Sequence, residues 1–115
     1  MRLRAALLIV CTSLTGCVTS TDQLSFDACS ASVLAATAKN RTYSDAQKRS
    51  FEIDSAASLA TITPIEDSVF ELRVIASVDG EGGQRTPQNF LCRTRFTPGQ
   101  DSPDVIAFHF LLDSD

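Results

Sequence analysis

The sequence predicts an α+β fold: an N-terminal helix packed on an antiparallel β-meander of three to five strands, with one disulfide joining the two layers. Three observations carry that expectation. Residues 27–39 are Ala-rich, with Cys29, Val33 and Ala36 at helical spacing. Three later stretches, 68–78, 90–96 and 105–112, alternate large apolar with other side chains, the period of a strand. One cysteine lies on the helical stripe and another on a strand's apolar face. A helix followed by a run of strands with short connections favours a meander with the helix on one face.

The helix comes first in the body. Ser25 or Asp27 is the expected N-cap, and Asn40 is the expected C-terminal residue in the left-handed region. Lys39 and Arg41 suit the negative end of its dipole. Residues 40–48 read as a polar connection with a single turn at Ser44, where Gln47 completes a capping-box spacing. Residues 49–54 alternate, with Phe51 and Ile53 on one face. Residues 57–63 fit either a strand ending at Pro64 or a helical turn. The clearest strand is 68–78, with Phe70, Leu72, Val74, Ala76 and Val78 on one face and Glu71, Arg73 and Ser77 on the other. Residues 79–89 (D-G-E-G-G-Q-R-T-P-Q-N) form a turn-rich loop. Residues 90–96 then place Phe90, Cys92, Thr94 and Phe96 inward, with Arg93 and Arg95 outward. After a loop at 97–104, residues 105–112 direct Ile106, Phe108, Phe110 and Leu112 inward.

Ahead of this body stands a segment of another kind. Arg2 and Arg4 precede an apolar run over 5–10 that fades by Leu14, the layout of a secretory signal peptide and too short to span a bilayer. It ends in Leu14-Thr15-Gly16-Cys17, which resembles the lipobox of bacterial lipoproteins. That resemblance covers residues 1–17 only. It implies cleavage before Cys17, acylation of the Cys17 sulfur and amine, and a membrane anchor contributing about 0.8 kcal/mol per buried methylene. Val18, in place of the Asp that retains such proteins in the inner membrane, points to the outer membrane. The expected organisation is a cleaved signal over 1–16, a lipidated N-terminus and polar tether over 17–25, and a single domain over 26–115.

An exported chain leaves Cys29 and Cys92 in an oxidising compartment, where a structural disulfide is the simplest reading. A redox pair and a zinc site compete with it. The chain contains no C-x-x-C, and two cysteines with one histidine make a poor zinc set. Four cysteines in 115 residues thus divide into Cys11 within the signal, Cys17 lipidated and two bridged.

The charge excludes some functions. Loss of Arg2 and Arg4 with the signal leaves 8 Lys and Arg against 14 Asp and Glu, a net charge of −6, which speaks against nucleic acid as a partner. His109 is the chain's one histidine and has no nucleophile motif beside it. The Gly-rich 79–83 lacks both the Lys-Ser/Thr ending of a phosphate loop and the ligand spacing of a calcium loop. No cofactor is expected, and no enzymatic activity. Arg73, Arg93 and Arg95 share the face away from the core and form a candidate partner surface for an envelope protein or an anionic envelope component. The expected function is a lipid-anchored, non-catalytic binding or structural module of the bacterial envelope. The alternative is a small inhibitor or protective factor acting on an envelope hydrolase, with residues 79–89 as its inhibitory loop.

Overall fold

The structure is a computed structural model that describes residues 20–111. The expected signal peptide over 1–16, the expected lipobox ending at Cys17, and Leu112 lie outside the described residues. The architecture is α+β: one long helix, then short strands in two antiparallel sheets, with a Cys29–Cys92 disulfide between the layers.

Helix α1 spans Thr21–Lys39 and so starts earlier than Ser25 or Asp27. Ser20 is the N-cap, its hydroxyl accepting from the Gln23 amide at 3.1 Å. Gln23 in turn donates to Asp27 at 2.8 Å, one turn on. The polar composition of 20–25 disguised this turn as a tether. Ser25 is in fact fully buried and shares a 2.9 Å hydrogen bond with Thr94 of the sheet. Residues 21–25 therefore belong to the domain, and any tether is shorter than expected. At the other end Asn40 is extended (φ −72°, ψ 119°) rather than left-handed. Its side chain makes a turn of its own, accepting from the Thr42 amide at 2.8 Å and the Thr42 hydroxyl at 2.6 Å.

Helix α2, Asp45–Ser50, carries the anticipated capping box. Ser44 Oγ accepts from the Gln47 amide at 3.1 Å, and the Ser44 amide donates to Gln47 Oε1 at 2.9 Å. Strand β1, Glu52–Ile53, leads into α3, Ser55–Leu59, so the ambiguous stretch resolves as a helical turn capped by Asp54. Pro64 then falls inside β2, Thr63–Glu66, instead of ending a strand. β2 lies at a sheet edge, where a residue without an N–H costs no ladder bond.

The long strand expected over 68–78 is divided. Strand β3, Val69–Val74, and strand β4, Ala76–Asp79, belong to different sheets. The cause is local. At Ile75 the amide donates to Ser58 Oγ at 2.8 Å and the carbonyl accepts from the Asp54 amide at 2.8 Å, so the α3 turn takes both backbone groups. Side-chain alternation survives the break: Leu72, Val74, Ala76 and Val78 are all buried. The return path divides at the same level, since Gln88 separates β5, Arg85–Pro87, from β6, Asn89–Arg95. With β7, Asp104–Leu111, the described residues hold seven strands rather than three to five. They form a four-stranded sheet, β2-β3-β6-β7, and a three-stranded sheet, β1-β4-β5.

The core lies between α1 and the four-stranded sheet. Phe26, Cys29 and Val33 from the helix meet Leu72, Val74, Phe90 and Cys92. Phe90 stacks on Phe108 at 5.3 Å and meets Phe110 edge-on at 5.5 Å. One inward assignment on β7 is corrected. The register pairs Arg93 with Ala107 but Thr94 with Val105, leaving Ile106 as an extra residue. That bulge brings Val105 opposite buried Thr94 and leaves Ile106 exposed.

Candidate functional site

The two cysteines meet as expected. Cys29 and Cys92 are both fully buried, with Cα atoms 6.1 Å apart, joining the middle of α1 to the centre of β6. The bridge is enclosed by the core and presents no sulfur to solvent. It has the geometry of a staple rather than of a working redox pair.

The three arginines share the outer face of the four-stranded sheet, and all are exposed. Their neighbours change the character of the surface. Glu71 sits opposite Arg93 in the register and accepts from its Nε at 2.8 Å. Arg95 has Val69 on one side and Asp104 on the other. Arg73 lies opposite Leu91, whose other neighbour is His109. The face therefore interleaves both signs of charge with apolar side chains, and its cationic character is locally offset.

His109 lies exposed on this outer face, opposite Leu91. Among the described residues, no group of three His, Cys, Asp or Glu side chains is placed to hold a metal ion. No described helix is long and apolar enough to cross a membrane.

The turn-rich 79–89 stretch forms a hairpin, with β4 paired antiparallel to β5. A tight turn over Glu81–Gly83 joins β4 to β5, and Gly82 and Gly83 take positive φ of 76° and 78°. Arg85 clamps its base. It donates to Asp79 at 2.6 Å, to the Ser77 carbonyl at 3.0 Å and hydroxyl at 2.9 Å, and to Glu52 of β1 at 3.3 Å.

One concavity escaped sequence reasoning. A cleft of about 290 Å³ opens where the C-terminal end of α1 meets the end of the sheet. Ala36, Thr37, Tyr43, Phe90 and Phe110 line it, with Asn40, Thr42 and Gln88 at its polar side. Tyr43 donates a hydrogen bond to Gln88 Oε1, and burial raises its phenol above the ordinary 10.0. Thr37 Oγ1 is buried with no hydrogen-bond partner among the described residues. A signal for Thr37 was present: it follows Cys29 and Val33 at steps of four, on the buried stripe. Nothing in the sequence placed Tyr43 and Gln88 together, because 45 residues separate them.

β7 is the longer of the two edge strands of the four-stranded sheet. Among the described residues no strand pairs with its far edge, and Ile106, His109 and Phe110 along it are exposed.

No protein-family model, no curated protein and no solved structure matches this chain.

Proposed function

We propose that the chain is a lipid-anchored, non-catalytic binding module of the bacterial cell envelope, held on the outer membrane through Cys17 and displaying its α+β domain to the periplasm. The observation that carries this reading is the buried Cys29–Cys92 bridge. A core closed around a disulfide is completed only where thiols are oxidised, and that compartment is the destination implied by residues 1–17. The open sheet supports binding over catalysis: it offers backbone hydrogen-bonding groups and apolar side chains along one edge. The interleaved charges on the arginine face favour a protein partner over an anionic polymer, since Arg93 already holds Glu71.

Fractionation of cells expressing wild type and Cys17→Ser tests the anchor. Wild type is expected in the membrane fraction and the variant in the soluble periplasmic fraction. Equal membrane retention of the variant overturns the reading.

The hairpin supports the second reading, an inhibitor of an envelope hydrolase. Its exposed tip is held by the Arg85 clamp, and a preorganised loop loses little entropy on docking. In that case Arg85→Ala weakens inhibition of the target at least tenfold while the protein stays folded. Unchanged inhibition removes the hairpin from consideration.

A further inference from the structure

The cleft of about 290 Å³ at the C-terminal end of α1 is apolar on one side and polar on the other. Phe90 and Phe110 form its apolar wall, their ring centroids 5.5 Å apart and their planes inclined at 67°. Phe90 is buried, but its register partner Phe110 is 43% exposed, so the cleft leaves much of an aromatic ring open. Tyr43 adds a third aromatic ring to the lining.

On the polar side the acceptors are engaged and the donors are not. Asn40 Oδ1 accepts from both the amide and the hydroxyl of Thr42. Gln88 Oε1 accepts from the Tyr43 hydroxyl. Neither Asn40 Nδ2 nor Gln88 Nε2 donates a hydrogen bond to any group among the described residues. The Thr37 hydroxyl, buried in the helix wall, is likewise without a partner there. Two carboxamide nitrogens held in place through their own oxygens, beside an apolar wall, are matched by an acceptor. No Asp, Glu, Lys, Arg or His lines the cleft among the described residues. An ionised group would lose its water there without meeting an opposite charge.

These features select a neutral occupant with a flat apolar body and a carbonyl oxygen. The several hydroxyl donors of a sugar would find both carboxamide oxygens already engaged. Size sets a further limit. Ligand pockets run from about 300 to 1,000 Å³, and a cleft at the small end of that range suits one ring with a short substituent. We propose that the cleft binds a small, uncharged aromatic ketone or amide. Its ring packs against Phe90 and Phe110, and its carbonyl oxygen accepts from the carboxamide nitrogens of Asn40 and Gln88. Neither the lipid anchor nor the envelope reading is needed for this site.

Titration of the purified full chain with acetophenone, followed through its backbone amides by two-dimensional NMR, tests the site. Saturable shifts are expected at Thr37, Asn40, Tyr43, Gln88 and Phe110, with a dissociation constant of about 1 mM or below. Benzoate has nearly the same shape but is an anion, and isopropylbenzene has nearly the same shape without the oxygen. Each is expected to bind about tenfold more weakly or worse. Gln88→Glu and Asn40→Asp each keep the oxygen that serves Tyr43 or Thr42 and remove the nitrogen donor. Each is expected to weaken acetophenone about tenfold at an unchanged melting temperature, and to gain affinity for the benzylamine cation. The ligand series on the wild type decides the matter even where a variant fails to fold. Absence of saturable shifts overturns the proposal, as does benzoate or isopropylbenzene binding as tightly as acetophenone. N-acetylglucosamine binding more tightly than acetophenone overturns the ligand class, and wild-type affinity in either folded variant overturns the assigned donors.

Discussion

Replacing Cys29 and Cys92 together by alanine removes a covalent link between residues 63 apart in sequence. In the loop-entropy picture, closure of a loop that long removes about 14 cal/mol/K from the unfolded chain, about 4 kcal/mol at 25 °C. Alanine is the right replacement because both positions are fully buried, and a serine hydroxyl there would add the cost of an unpartnered donor. Total stability for a domain of this size is about 5–15 kcal/mol, so the variant is expected to sit near the limit of folding at 37 °C. A small domain loses about 4–8 °C of melting temperature per kcal/mol, which makes the fall about 15–30 °C. Urea unfolding of wild type and variant, followed by circular dichroism in the same buffer, reads the difference directly. Because the sulfurs are sealed in the core, the wild-type bridge is also expected to resist reductant until the protein unfolds. A variant that loses less than about 1 kcal/mol would refute the reasoning, since the bridge would then not be acting on the unfolded chain.

Thr94→Val removes half of the buried Ser25–Thr94 hydrogen bond and strands the Ser25 hydroxyl, with an expected loss of about 1–3 kcal/mol. Adding Ser25→Ala recovers part of that loss, and a double-mutant cycle by urea unfolding checks the coupling. Thr37→Val works in the opposite direction. Its hydroxyl has no partner among the described residues, so a side chain of the same shape without it is expected to raise stability by about 1 kcal/mol in the same assay. Tyr43 is the chain's one tyrosine, and there is no tryptophan, so its ionisation can be followed by ultraviolet difference absorbance. Burial raises its pKa above 10.0, and the folded state therefore holds the proton longer than the unfolded state. The stability this gives is fully present below pH 10.0 and is lost as pH rises through the folded value. Tyr43→Phe is expected to flatten that decline, and an ordinary titration of Tyr43 would contradict it.

The regular features of the fold were legible because they repeat. Cys29 and Val33 mark a helical stripe, and Leu72, Val74, Ala76 and Val78 mark one strand face, without reference to the rest of the chain. Pairing the cysteines needed only those two faces and the oxidising destination expected from residues 1–17. What the pattern concealed was settled by distant partners. The first turn of α1 is polar and is held by Thr94, 69 residues on from Ser25. The break at Ile75 comes from Ser58 and Asp54, whose contribution is invisible in an unbroken alternation. The bulge at Ile106 shifts Val105 inward although strict alternation favours its neighbour. In the candidate site, the three arginines fell on one face as their phase required. The Glu71 partner that offsets Arg93 depended on register, and the Tyr43 cleft depended on the tertiary approach of two loops.

The position of the bridge also decides what happens when the chain is cut. The hairpin tip at Gly82, Gly83 and Gln84 is exposed, the kind of site at which a protease first nicks a folded domain. That tip lies between Cys29 and Cys92 in sequence, so one cleavage yields two pieces that stay covalently joined. The piece ending at the nick keeps α1 and β3; the other keeps β6 and β7, and the β3–β6 ladder spans the two. In a protease-rich surrounding, a first cut thus opens the backbone without releasing a fragment, and the domain is dismantled only after a second event elsewhere.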